Sequence, residues 1–241
     1  KDYKSLNLLE FPSSPLKKEN ILTILSSTII IFFSIIKSLM FLLFNRPSIV
    51  FGMGGYSSFP ICIAASILRI KCVIYENNLI IGKANRFLLP FTEKIFVSYK
   101  ELEGIPHKYN HKIIEIGNII REDIINSNSS EITERYDSIN ILILGGSQAA
   151  KVFAEELPKI FDTLKKNNIP IKIYQQCQEQ QNGELSEFYK KNGIDFEVFN
   201  FADNIVNYYL KSNLVITRAG ASVLGELVNV KIPFVAIPLP T

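Results

Sequence analysis

Short apolar runs alternate with helical stretches in two successive sets, and this pattern constrains the fold more than any other feature. Short apolar runs of this kind predict buried parallel strands. They cover residues 49–51, 72–75, 94–97 and 113–116 in the first set, and 139–144, 171–174, 195–199, 214–217 and 234–237 in the second. Helices are predicted over residues 60–68, 151–166, 184–191, 203–210 and 222–228. The pattern predicts an α/β protein with two Rossmann-like, doubly wound domains facing across a cleft.

The polar, irregular stretch over residues 118–140 separates the two sets. We place the domain boundary there, with one domain over residues 1–121 and the other over residues 122–241. A total of 241 residues is enough for two domains that each bury a core. In the helix over residues 151–166, a 3.6-residue period predicts one buried face made of Phe153, Leu157, Ile160, Phe161 and Leu164.

Composition and charge exclude some classes of protein. Hydrophobic residues make up 47% of the chain and charged residues 20%, which is typical of a globular rather than a disordered protein. The net charge of +3 is too small to predict a nucleic-acid partner. Cys62, Cys72 and Cys177 match no metal or redox spacing, so we expect reduced, buried thiols and a cytosolic compartment.

The apolar stretch over residues 21–44 allows three interpretations. Its only charged residue is Lys37, and as a helix it would be about 36 Å long, enough to cross a bilayer. Serine and threonine interrupt it, however, and it leads directly into a strand. We favour helices packed on a sheet, with an apolar patch that touches a membrane, over a spanning helix or a fully buried one. Lys17, Lys18 and Arg46 would suit anionic headgroups.

Three glycine-rich turns each follow a predicted strand and open a helix. They are residues 52–56, 145–148 and 218–222. Such turns present free N–H groups and the positive end of a helix dipole, which suits a phosphate, although a single glycine turn often makes only a tight bend. Three of them in phase across two domains favour a nucleotide site.

Several polar residues near these turns have two interpretations each. Glu226 could accept hydrogen bonds from a ribose diol or could stabilise a helix N-terminus. Asn78 suits sugar hydroxyls but also suits a turn, and Arg121 suits a diphosphate but also suits solvent. His107 and His111 are expected on the surface. The sequence has no Asp-x-Asp pair, so we predict no metal and no cofactor.

Taken in order, these motifs resemble those of the MurG family of UDP-N-acetylglucosamine transferases. The resemblance rests on Gly52 to Tyr56, Tyr75 to Asn78, Gly117 to Arg121, Gly145 to Gln148 and Arg218 to Glu226. It implies the GT-B glycosyltransferase fold and UDP-N-acetylglucosamine as donor. It also implies an undecaprenyl-linked acceptor, lipid I, that inverting transfer converts to the peptidoglycan precursor lipid II. The expected location is peripheral, at the cytoplasmic face of the bacterial inner membrane.

The resemblance implies that the domain over residues 1–121 holds the acceptor at the membrane and that the domain over residues 122–241 binds the UDP-sugar. It also assigns roles to single residues. Gly54, Gly55 and Tyr56 match the acceptor-side loop, and residues 21–44 match the membrane-associating patch. Ala202 matches a position near the uracil, and Glu226 matches the residue on the ribose hydroxyls. Asn78, Arg121 and Ser147 match donor-binding positions of the family. The full set that matches substrate-binding positions is Asn78, Arg121, Ser147, Ala202, Ala221, Ser222, Val223, Leu224, Gly225 and Glu226.

Some features of the family pattern differ or lie outside the sequence. Ala149 stands in place of a glycine, and Gly225 in place of a small hydroxyl residue. The family's opening glycine loop with its histidine would precede Lys1, and its glutamine-bearing loop would follow Thr241. We therefore expect a fragment that is inactive alone, with the catalytic base outside it. Alternatives are a related glycolipid glycosyltransferase, a UDP-sugar 2-epimerase or a non-catalytic membrane-associated partner.

Overall fold

The chain forms two compact units, residues 1–119 and residues 120–241. Its structure is a computed structural model that describes residues 9–10, 20–127 and 138–238, without the side chains of residues 21–22 and 147–150. Arg121, which we expected to end the first domain, belongs to the second unit by this division. The predicted acceptor and donor roles of the two domains stay predictions.

The first unit is built on a four-stranded parallel sheet. Its strands are β1 (Ile49–Gly52), β2 (Lys71–Glu76), β3 (Lys94–Val97) and β4 (Ile113–Glu115), in the order β1-β2-β3-β4. Its helices are α1 (Ile21–Asn45), α2 (Gly55–Ile67) and α3 (Lys83–Leu88). The four predicted strands are confirmed. The glycine turn after β1 has positive φ at Gly54 (79°) and Gly55 (74°), a backbone conformation that residues other than glycine rarely adopt.

Helix α1 turns three of its four serines inward and much of its apolar surface outward. Ser27, Ser34 and Ser38 are buried together with Leu42, and the helix packs on α2. Small side chains let two helices approach closely, which explains the buried serines. The exposed apolar residues include Leu25, Ile29, Phe32, Phe33, Met40, Leu43 and Phe44. The alternative of a fully buried helix is therefore wrong.

By length and composition, α1 also passes the test for a membrane span over Thr23–Asn45, with mean hydropathy 2.2 and only 22% of its most apolar window buried. Its length of 25 residues corresponds to about 37 Å. Arg46 follows the helix directly. Lys17 and Lys18, which we expected to contact headgroups, lie outside the described residues.

The second unit is built on a five-stranded parallel sheet. Its strands are β5 (Ile139–Leu144), β6 (Ile171–Gln176), β7 (Asp195–Phe199), β8 (Leu214–Arg218) and β9 (Phe234–Ile237). Its helices are α4 (Glu122–Ile125), α5 (Gly146–Lys166), α6 (Asn182–Lys191), α7 (Ile205–Lys211) and α8 (Ala221–Val230). All five predicted strands are confirmed.

The strand order of this sheet is β7-β6-β5-β8-β9. The chain therefore runs outward from β5 to one edge, returns to the centre, and runs outward again from β8. Neighbouring loops that leave β5 and β8 diverge to opposite faces of the sheet, and the gap between them is where doubly wound folds bind ligands. This topological switch point lies at the carboxyl ends of β5 and β8.

Most of the predicted core of the second unit is confirmed, with one exception. Phe153, Leu157 and Phe161 of α5 are buried, and Leu164 packs against the same cluster. Ile160 is 53% exposed, so its predicted burial is wrong. It lies at the edge of the apolar stripe, outside the part that the sheet covers. The three cysteines are free and buried, as expected.

Candidate functional site

The second unit has a cavity of about 470 Å³ at its topological switch point. Residues that end β5 and begin α5 form one wall, and residues that end β8 and begin α8 form another. Loops and helices α7 and α8 supply the remainder. The lining residues are Arg121, Leu144, Gly145, Gly146, Gln176, Phe199, Phe201, Ala202, Ile205, Tyr209, Thr217, Arg218, Gly220, Val223 and Glu226.

The amino-terminal end of α5 opens into this cavity. Gly146 begins the helix with φ of 61°, and its N–H donates to Oε1 of Gln176 over 3.2 Å. Nε2 of Gln176 donates in turn to the carbonyl of Asn200. A helix of 21 residues places partial positive charge at this end, where an anion is favoured. The side chain of Ser147, a predicted donor-binding residue, lies outside the described side chains.

A carboxylate of α8 also lines the cavity. Glu226 is in the second turn of α8, beyond the first turn where a helix dipole acts most strongly on a charge. Its Oε2 accepts a hydrogen bond of 2.8 Å from the Tyr209 hydroxyl. Arg121 donates from Nε to Oε1 over 3.3 Å and from Nη2 to Oε2 over 3.5 Å. Contacts with side chains, rather than the dipole, therefore hold this carboxylate.

Arg218 brings a second guanidinium to the cavity at the end of β8. Its Nη1 donates to the carbonyl of Pro238 over 2.7 Å, and its Cζ lies 5.4 Å from the centre of the Phe153 ring. Its Nε is buried and has no hydrogen-bond partner within the described part of the chain. An unpaired buried N–H is costly, so this group favours an acceptor such as a phosphate oxygen.

The structure brings together part of the predicted site. Arg121, Ala202, Val223 and Glu226 line the cavity. The predicted residues Ala221, Ser222, Leu224 and Gly225 lie on α8 but do not line it, and Gly225 is buried.

The sequence interpretation missed several of the lining residues, among them Tyr209, Gln176 and Phe201. The sequence could have indicated Tyr209, because it follows Ile205 by one helical turn and therefore lies on the same face of α7.

The first unit has its own cavity, of about 270 Å³, at the carboxyl ends of β1 and β2. The predicted acceptor-side residues Gly54, Gly55 and Tyr56 line it, and so does Asn78. We had assigned Asn78 to the donor and the other three to the acceptor. The structure brings all four to one cavity of the first unit.

Glu76 organises this cavity, a role that the sequence interpretation missed. It is only 4% exposed, and its carboxylate accepts four hydrogen bonds. Oε1 accepts from the Asn78 amide (3.1 Å) and from Asn78 Nδ2 (2.9 Å), while Oε2 accepts from the Gly82 amide (2.8 Å) and from Asn85 Nδ2 (3.0 Å). A charged residue directly after the apolar run over residues 72–75 was the available signal.

Solved structures define the class of this fold. The chain matches the crystal structure of Acinetobacter baumannii MurG with a TM-score of 0.67 and 24% identity, covering 89% of this chain and 59% of that one. It matches the S. aureus MnaA–UDP co-structure with a TM-score of 0.60 and 18% identity, covering 89% and 64%. The two parallel α/β units thus have the GT-B fold, as the sequence predicted.

Sequence comparison then identifies the family. Residues 3–97 match the glycosyltransferase family 28 N-terminal domain, and residues 140–241 match the glycosyltransferase family 28 C-terminal domain. The chain belongs to glycosyltransferase family 28.

Two curated relatives carry the name UDP-N-acetylglucosamine–N-acetylmuramyl-(pentapeptide) pyrophosphoryl-undecaprenol N-acetylglucosamine transferase. The relative from Pelagibacter ubique (strain HTCC1062) is 38% identical over 235 residues, covering 98% of this chain and 65% of the relative. The relative from Rickettsia felis is 36% identical over 216 residues, covering 86% and 60%. The chain thus spans less than two thirds of the length of either relative. These matches confirm the resemblance to the MurG family.

Proposed function

We propose that the protein transfers N-acetylglucosamine from UDP-N-acetylglucosamine to undecaprenyl-diphospho-muramoyl-pentapeptide, which makes lipid II for peptidoglycan. The names of the two relatives support the donor and the acceptor. The observation that carries the proposal is the switch-point cavity of the second unit, which a helix amino terminus and a carboxylate both line.

In this proposal the cavity holds uridine diphosphate. The diphosphate lies at the amino-terminal end of α5. There the Gly146 N–H donates to a phosphate oxygen instead of to Gln176, and Arg218 donates from its unpaired Nε. Glu226 accepts hydrogen bonds from the ribose hydroxyls. The uracil lies beside Ala202 and Phe201, and the exposed Phe201 ring is available for stacking.

The same groups would assist the transfer. The departing diphosphate gains negative charge as its bond to the sugar breaks, and a fixed N–H and two guanidinium groups stabilise that charge without a metal ion. The acceptor hydroxyl attacks from the face opposite the diphosphate, so the configuration at the anomeric carbon is inverted. A general base removes its proton, and we assign that base to no residue of this chain.

The proposed acceptor is a membrane lipid, and α1 supplies a surface suited to it. We propose peripheral association with the cytoplasmic face of the bacterial inner membrane through the exposed apolar side of α1. Phe32 and Phe33 are 61% and 62% exposed, and Phe44 is 87% exposed. An exposed apolar surface of this kind favours contact with a bilayer, and Arg46 suits its anionic headgroups.

A transfer assay tests the proposal against its alternatives. The complete protein is incubated with labelled UDP-N-acetylglucosamine and a lipid I analogue, and we expect label in the lipid product. Label in a diacylglycerol acceptor instead would indicate another glycolipid transferase, and conversion of the donor to its 2-epimer would indicate an epimerase. Absence of all three products with bound UDP would indicate a non-catalytic protein. Each of these three outcomes contradicts the proposal.

A further inference from the structure

The two hydrogen-bond partners of the Glu226 carboxylate, Arg121 and Tyr209, differ in their exposure to solvent. Arg121 reaches it from the residue that precedes α4, and its side chain is 46% exposed. Tyr209 reaches it from α7, and its side chain is only 1% exposed. An exposed guanidinium can exchange the carboxylate for water or for a ligand at little cost. A buried hydroxyl cannot exchange the carboxylate for water in this way.

The Tyr209 hydroxyl also remains a donor. Burial, together with the charge of Glu226, raises its pKa well above the usual range of tyrosine, so the proton stays on the oxygen. Its ring is packed in the core cluster that contains Ile205, Val206 and Leu227, which fixes the direction of the hydroxyl. The hydrogen bond to Oε2 therefore comes from a fixed position.

We propose that Tyr209 is a positioning residue that aims the Glu226 carboxylate at the 2′ and 3′ hydroxyls of the pentose. This inference rests on the proposed function. The Tyr209 hydroxyl pins Oε2, which prevents rotation of the carboxylate and leaves its other lone pairs facing the cavity. Arg121 is the displaceable partner, because the diphosphate of the ligand competes with Glu226 for its guanidinium.

The chain offers a matched control on the same helix. The neighbouring Tyr208 also donates its hydroxyl to a glutamate, with 2.6 Å to Oε1 of Glu197, but neither residue lines the cavity. Tyr208→Phe and Tyr209→Phe each delete one hydroxyl and keep the ring. Any difference between the two variants therefore reports the cavity rather than the loss of a tyrosine.

The experiment measures the affinity of the wild-type chain and of both variants for UDP and for 2′-deoxy-UDP, by calorimetry. A hydrogen bond to a charged group corresponds to about a tenfold change in affinity. We expect Tyr209→Phe to weaken UDP binding about tenfold and 2′-deoxy-UDP binding about threefold or less, so that discrimination between the two ligands falls. We expect Tyr208→Phe to bind both ligands as the wild type does.

Different failures of this experiment have different meanings. Equal loss of affinity for both ligands in Tyr209→Phe overturns the inference, because a merely structural role would act on both. Unchanged UDP binding in Tyr209→Phe, or an equal loss in Tyr208→Phe, also overturns it while leaving the proposed function intact. Failure of the wild type to bind UDP overturns the proposed function itself, and this inference with it.

Discussion

The buried carboxylate of Glu76 makes a quantitative prediction about the first unit. Glu76→Gln keeps the size of the side chain but replaces one acceptor oxygen with an NH₂ group. That group must face two donors, either those of Asn78 or those of Gly82 and Asn85, so two of the four hydrogen bonds are lost. Each lost bond to a charged acceptor costs about 1.5–3 kcal/mol, so the local cost of two is about 3–6 kcal/mol.

Amide hydrogen exchange followed by NMR is the appropriate assay, because a chain of two units need not unfold in one step. A cost of about 3 kcal/mol corresponds to about 150-fold faster exchange of the Asn78 or Gly82 amide. The Ile116 amide, which donates to the Val97 carbonyl, is the internal reference. Glu93→Gln at an exposed position of the same unit is the control variant. Exchange at both Asn78 and Gly82 within threefold of the wild type would show that the Glu76 carboxylate does not hold these two amides.

Three further predictions concern the core, the pH response and the membrane surface. Phe153→Ala should lower the free energy of unfolding of the second unit by about 3–5 kcal/mol in urea titrations, because Phe153 is buried. Ile160→Ala should lower it by under about 1 kcal/mol, because Ile160 is exposed. Equal effects of the two variants would contradict the assigned core. Burial and the Glu197 carboxylate raise the pKa of Tyr208 from 10.0 to about 12, so the stability it contributes is complete below pH 10 and is lost as the pH rises toward 12. Tyr208→Phe should therefore lose less stability over that interval, and superimposable curves would count against this. Replacement of both Phe32 and Phe33 by serine should reduce co-sedimentation with anionic vesicles about tenfold or more. The control Ile160→Ser, at an exposed position in the second unit, should sediment as the wild type does. Unchanged sedimentation of the double variant would argue against α1 as the membrane surface.

The sequence predicted the sheets well because their signal is local. Runs such as Ile139–Leu144 are apolar throughout, as strands covered on both faces must be, and the predicted bounds of β5, β7 and β9 agree with the structure. The strand order β7-β6-β5-β8-β9 could not be obtained from the same runs, because local composition does not record which strands pair. The location of the cavity depends on that order.

Amphipathic patterns were less reliable where a helix is only partly covered. Ile160 fits the apolar period of α5 but lies outside the area that the sheet covers. In α1 the buried face is made largely of serine, so the expected relation between hydrophobicity and burial is reversed. Periodicity identifies the faces of a helix, but the partner determines which face is buried.

Among the site residues, motif position predicted the backbone better than the side-chain network. Glu226 was identified from its distance after the glycine turn, and the structure places it on the cavity wall. Its partner Tyr209 lies 17 positions away in sequence, on a helix that carries no motif. Glu76 was likewise part of a recognised motif, but its four hydrogen bonds depend on how the following loop folds back to Gly82 and Asn85.

Calorimetry on Glu226→Ala determines whether the cavity of the second unit binds UDP through this carboxylate. Glu197→Ala, which removes the exposed glutamate beside Tyr208, is the control. We predict that the wild type binds UDP, that Glu226→Ala binds it at least about tenfold more weakly, and that Glu197→Ala binds it normally. UDP affinity that is the same in the wild type and in Glu226→Ala would contradict the account.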